Sequence, residues 1–217
     1  MIRKEYIGEL DRLKRDVLNM GLLSKEAALK SIEALINKDL KLAKSIIENN
    51  FIIDDMEFDI ENRCMRLIAL QQPMAVDLRV IGTCLKIITD FDRISDVGGD
   101  IAEIVLRIGE EPFVKPLIDT PRMSELTQKM IEDCLKAFKS ENVEALGDFS
   151  DRDDIVDGLY DQIRRELITI MIEKPNSIAN ASHLMFVAMY LERIGDHACN
   201  IASRIVYMVT GVKKKMG

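Results

Sequence analysis

Near the end of the chain, YLERIGDHACNIA (190–202) places Glu192, Asp196 and Asn200 at every fourth position. One hundred residues earlier, DFDRISDVGGDIA (90–102) does the same with Asp92, Asp96 and Asp100. On an α-helix, positions i, i+4 and i+8 drift by only about 80° in total, so each trio lines one edge. Like charges at this spacing cost a few tenths of a kcal/mol per pair. A helical bundle has no structural reason to stack them in duplicate unless something positive arrives. Donors that are almost all carboxylate oxygen suit hard cations such as Mg²⁺, Mn²⁺, Ca²⁺ or Fe³⁺, with Zn²⁺ also compatible. Residue types alone do not choose among them.

A second set of acids strengthens the pattern. Asp54, Glu57 and Glu61 in the first half fall on Asp154, Asp157 and Asp161 in the second, again offset by 100. Pro73 marks one turn and Pro175 another. In an antiparallel hairpin turning near residue 75, residues whose numbers sum to about 150 lie side by side. Asp54 then meets Asp96, and Glu57 meets Asp92. The hairpin near 175 pairs Asp154 with Asp196 and Asp157 with Glu192. Four to six carboxylates are thus expected to crowd one patch in each half.

The elements that must carry these acids read as helices only. From Cys84 the apolar positions run Ile87, Phe91, Ile94, Gly98, Ile101, and the second copy gives Leu184, Val187, Leu191, Ile194, Ala198, Ile201. That 3–4 spacing is the seam of a bundle. The first half is predicted to hold a long helix over about 6–37 and a short segment capped by Asp39. Helices over 53–71 and 76–108 follow, and the second half repeats them from about Met123. Pro112, Pro116 and Pro121 make 111–121 hostile to helix. The predicted architecture is all-α: two tandem antiparallel three-helix bundles, residues 1–110 and 122–217, joined by a proline-rich linker at 111–121.

Composition narrows the function. Hydrophobic residues make up 47% and charged residues 31% of the 217, which is the balance of a folded chain and not a disordered one. A net charge of −7 argues against nucleic acid, which selects basic faces. Cys64, Cys84, Cys134 and Cys199 stand apart, with no C-x-x-C pair, and read as reduced core thiols of a cytoplasmic protein. The charged start, MIRKEYIGELDRLKRD, is no signal peptide, and no apolar run approaches the roughly 18 residues of a membrane helix. Lys213–Lys215 read as a solvated tail.

Other residues near the columns have plainer readings. His197 has no histidine counterpart in the first copy, where Val97 stands. Arg93 and Arg193, each following the first acid of a column, are expected to pair with acids on a neighbouring helix. Gly98 and Gly99 are expected to permit close helix packing, because no strand precedes them as a phosphate loop requires. Ser95 and Ser203 have no histidine in register, so no nucleophile is visible.

Two segments carry a resemblance to a known family. QQPMAVDLRVIGTCLKIITDFDRISDVGGDIAE (71–103) and HLMFVAMYLERIGDHACNIA (183–202) resemble the two signature regions of the PhoU family, regulators that accompany the phosphate-specific ABC transporter. The likeness spans essentially the whole chain, tandem repeat and proline linker included. It implies the same pair of three-helix bundles, in a cytoplasmic protein that is often a homodimer. It implies negative regulation of phosphate uptake and of the phosphate-starvation two-component response. The implied partners are the transporter's ATPase subunit and a sensor histidine kinase, with the membrane reached only through them. Family E/D-x-x-x-D motifs bind metal, iron or zinc in some members, with magnesium or manganese proposed for others. Asp92-x-x-x-Asp96, Asp157-x-x-x-Asp161 and Glu192-x-x-x-Asp196 match that motif, whereas Glu57-x-x-x-Glu61 departs by ending in Glu. Three rival readings stand beside it: a regulator of a different transporter, a purely structural helical protein, and a di-iron carboxylate enzyme. The last normally uses paired E-x-x-H motifs, and this sequence contains none.

Overall fold

Seven helices follow one another along the chain in the computed structural model, which describes residues 2–217, with side chains described from Tyr6 onward. They are α1 (Ile2–Asn37), α2 (Leu40–Asn49), α3 (Phe51–Gln71), α4 (Val76–Ile108), α5 (Asp119–Ser140), α6 (Phe149–Glu173) and α7 (Ile178–Thr210). Single 3-10 turns lie at Glu144–Leu146 and Pro175–Ser177, and there is no strand among the described residues. α1, α3 and α4 form one antiparallel three-helix bundle, and α5, α6 and α7 form the other.

The boundaries follow local chemistry. Asp39 caps α2, its carboxylate accepting from the Lys41 and Leu42 N–H groups at 3.0 Å each. Pro73 and Pro175 both sit in the turns between the second and third long helices, as their matched places require. α5 begins at Asp119, earlier than the sequence pattern indicated. Pro121 lies in its first turn, where a missing N–H removes no hydrogen bond. The middle helix likewise begins at Phe51, leaving Asn50 as the hinge residue between α2 and α3. The halves differ most here: the ten-residue α2 has only the 3-10 turn Glu144–Leu146 as its counterpart.

Packing joins the two bundles side by side. α4 lies against α7 and α1 against α5, so a single hydrophobic core runs through both halves. Gly21 of α1 marks the contact: a Cβ there would lie 2.6 Å from Leu135 Cδ2 of α5 and 2.7 Å from Phe91 Cζ of α4. Gly98 of α4 lets that helix approach α1 closely, since a Cβ would stand 3.1 Å from the Ala27 and Ala28 backbone. Gly99 has no atom within 4 Å of its Cβ position, so only the first glycine of the pair serves packing. Among the described residues, no helix is long and apolar enough to cross a membrane.

Candidate metal centre

The antiparallel register brings the acids of the first half together. One carboxylate oxygen each from Asp54 of α3 and from Asp92 and Asp96 of α4 lie within 4.8 Å of one another. Two oxygens on one cation stand no further apart than about twice the metal–oxygen distance of 2.0–2.6 Å, so this trio is close to a coordination shell. Among the described residues, no other group of three acid, cysteine or histidine ligand atoms closes to that spacing.

Asp92 is the centre of the group. Its side chain is 8% exposed, and its Oδ1 is buried without a hydrogen-bond partner. Burial pushes its carboxyl up to about 7, and the charges of Glu57, Asp96 and Asp54 push in the same direction. A buried orphan acceptor of this kind carries a desolvation penalty that a cation would remove. The donor set therefore fits a hard cation held by Asp54, Asp92 and Asp96, with Glu57 one turn along α3.

Asp96 is held in place by its neighbours. Its Oδ1 accepts from Asn50 Nδ2 at 3.0 Å, and its Oδ2 accepts from Arg93 Nη1 at 2.9 Å. The buried Ser95 hydroxyl donates to Asn50 Oδ1 at 2.6 Å, which turns the amide so that its nitrogen faces Asp96. Arg93 thus pairs within its own helix, whereas the sequence pattern pointed to an acid on a neighbouring one. Arg193 stacks over the Tyr190 ring, 5.9 Å from its centroid.

The second half assembles a looser version. Asp157 is raised by burial and then by Asp196, Asp154 and Asp161; Glu192 is raised by burial and then by Asp196 and Asp157. Of these, the pairing of Glu192 with Asp157 is the one that the hairpin register specifies. Asp153 joins them, raised by burial and by the same acids, with the Cys199 thiol beside it. Asp153 was not legible as a site residue, because its offset-100 counterpart is the buried Ile53. Only its place in a run of acids, SDRDDIVD, signals it.

Four of the residues singled out in the sequence lie at the margin of these groups or apart from them. Glu61 is exposed one turn beyond Glu57, and Asp161 is ion-paired with Arg164 at 2.9 Å. Asp100 lies beside Tyr190 of α7, and burial, then the charges of Glu103 and Asp96, raise its carboxyl. Asn200 is exposed on the wall of a groove between α4 and α7. That groove, of about 830 Å³, is also lined by Asp96 and Asp196, so both columns open onto one face. His197 does not enter either cluster; its Nδ1 lies 3.0 Å from Asp90 Oδ1, bridging the two bundles.

The comparisons with known proteins agree with this architecture. The PhoU domain matches the chain twice, over residues 17–105 and 120–205. The PhoU homolog of Aquifex aeolicus, a phosphate-specific transport system accessory protein, is 41% identical over 203 residues, covering 94% of this chain and 92% of that protein. The corresponding protein of Clostridium acetobutylicum is 38% identical over 212 residues, with 97% of each chain covered. The crystal structure of PhoU from Pseudomonas aeruginosa superposes with a TM-score of 0.91 at 32% identity, covering 95% of this chain and all of that one. The twofold domain match and these full-length relatives show that the chain belongs to the PhoU family.

Proposed function

We propose that this protein is a metal-binding regulatory adaptor of a phosphate-specific ABC transport system. In this reading it restrains phosphate uptake and damps phosphate-starvation signalling, and it is not itself an enzyme. It works in the cytoplasm as a homodimer and meets the transporter's ATPase subunit and a sensor histidine kinase through helical surfaces. The end-to-end match to relatives named as phosphate transport accessory proteins supports the pathway. The metal half rests on one observation, the buried, unpartnered Oδ1 of Asp92 on a carboxylate that lies together with those of Asp54 and Asp96. Iron, manganese, magnesium and zinc are the cations that the family resemblance and the oxygen donors favour.

Two experiments test the reading. Elemental analysis of protein purified without chelator is expected to find metal that Asp92→Asn loses in part. In cells lacking the native protein, the wild-type chain is expected to lower phosphate uptake and silence a starvation reporter. Unaltered uptake and reporter output on restoring the chain would contradict the assignment to phosphate transport.

A further inference from the structure

A surface helix of a bundle normally carries one apolar stripe, turned to the core. α3 carries two, on opposite sides. Ile53, Ile60, Cys64 and Leu67 face inward and are buried. Phe51, Phe58 and Met65 recur every seventh residue on the outer side and are 57%, 66% and 57% exposed. At that spacing the three stand in one row along the helix. Apolar residues scattered singly over a surface need no explanation, but two phenylalanines and a methionine aligned along one helix do. The row belongs to the first half alone. At the same offset of 100, α6 has Asp151, Gly158 and Arg165. The repeated pattern therefore does not require it, and the trio of Asp54, Asp92 and Asp96 does not use it.

The charges beside the row indicate what covers it. Asp55, Asp59 and Arg66 are exposed along one flank of the row. Among the described residues the only ion pair that α3 makes is that of Arg63 with Asp16 of α1, so these three charges are left without a partner. Two α3 helices laid together in parallel would set Asp55 and Asp59 of one copy against Asp54 and Glu61 of the other. Turned antiparallel about a twofold axis, the flank of Asp55, Asp59 and Arg66 meets the same flank of the second copy. With Phe58 level with Met65 of the second copy, Arg66 falls between Asp55 and Asp59 of that copy, and the axis repeats the contact. Charges beside an apolar helix seam set partner and orientation in this way. We propose that the outer face of α3 is an interface with a second copy of this chain, two α3 helices packing antiparallel through Phe51, Phe58 and Met65. This rests on the homodimer of the function proposed above and gives it a surface. The contact is isologous and the second half lacks the row, so association closes at two copies and does not grow into a filament. Six such side chains at roughly 100–150 Å² each supply less than the ~1,200 Å² at the lower end of stable interfaces, so the dimer dissociates in the micromolar range.

Sedimentation velocity of the full-length chain across that range tests the interface. The wild type is expected to pass from monomer to dimer as its concentration rises. Phe58→Ser changes a residue that packs on nothing in the single copy. It is expected to raise the dissociation constant by roughly ten- to a hundredfold, since each dimer loses two aromatic anchors. Arg66→Glu is expected to raise it at least about tenfold, because the reversed charge falls between Asp55 and Asp59 of the second copy. Adding Asp55→Arg and Asp59→Arg to the same chain is expected to return the dissociation constant to near the wild-type value, a rescue that only the antiparallel register allows. A wild-type dimer that survives both Phe58→Ser and Arg66→Glu would overturn this interface and leave the homodimer to another surface. Weakening by Arg66→Glu without rescue in the triple variant would overturn the antiparallel register. A wild type that stays monomeric throughout would overturn the interface and the homodimer together, and would leave the row to a different protein.

Discussion

The two acid clusters descend from one repeated pattern, yet they differ in what surrounds each carboxylate. In the first, Asp92 is buried with an orphan oxygen, and Asp96 is oriented by Asn50 and Arg93. In the second, Asp196 is exposed, Asp153 has replaced an apolar residue, and the cluster borders a thiol and the returning tail. Equal spacing of acids therefore does not make equal sites. Burial and the polar atoms beside each acid decide how strongly it needs a cation. Under the proposed metal reading, the first cluster is therefore expected to bind the more tightly, since Asp92 is desolvated with an oxygen that nothing satisfies.

The largest expected effect separates the clusters by stability. A cation that binds only the folded state adds about 2.7 kcal/mol at a hundredfold excess over Kd. Chelation is expected to lower the melting temperature of the wild-type protein, and one particular metal to restore it. Asp92→Asn is expected to remove most of that metal-dependent shift and Asp196→Asn a smaller part. The melting curves of the two variants with and without chelator measure this. Equal losses would erase the distinction drawn between the halves.

The next effect concerns pH in the chelated protein. The folded-state value of Asp92, about 7, lies above the usual carboxylate range near 3.9. Between these values the folded state holds a proton that the unfolded chain has released, so stability falls as pH rises from about 4 to about 7. The loss attributable to Asp92 is of order 2–4 kcal/mol, and Asp92→Asn is expected to flatten it. Asp157→Asn is expected to flatten the curve much less, because its carboxyl is exposed and screened. Denaturant melts across that range check both.

A packing substitution sharpens the comparison away from the acids. Gly98 faces the α1 backbone, while its counterpart at offset 100 is already Ala198. Gly98→Ala is expected to destabilise by roughly 1–3 kcal/mol, because the new methyl meets backbone and not a movable side chain. A gain in stability, as helix propensity alone would give, would mean that α1 and α4 separate at little cost. The smallest effect is expected from Glu61→Gln and Asp161→Asn, whose side chains lie beyond the clusters. Each should leave the metal-dependent shift within error.

Much of this was legible in the sequence because repeats and registers are one-dimensional. The constant offset of 100 located both clusters, and the registers of the hairpins turning near 75 and 175 placed Asp54 beside Asp96 and Asp157 beside Glu192. Helical periodicity found every long helix, missing only where α1, α3 and α5 begin. What stayed hidden depends on which faces meet. Periodicity says that α1 and α5 have apolar faces, not that Gly21 sits under Leu135. Asn50 and Ser95 were invisible because a hinge amide and a buried hydroxyl have no spacing signature, and Asp153 because its repeat partner is isoleucine. The tail pattern Lys-Lys-Lys gave no hint that the next residue, Met216, returns to the core.

Direct counting of bound Mn²⁺ by electron paramagnetic resonance, on the full-length protein and on Asp92→Asn, tests the central claim most closely. The wild-type chain is expected to show one tight class of site and a weaker one. In Asp92→Asn the tight class is expected to weaken by at least about tenfold, since a charge-assisted ligand and the desolvated carboxylate are lost together. The weaker class should persist. A tight class that survives Asp92→Asn unchanged would contradict the account, because the buried carboxylate would then not be what the cation comes to satisfy.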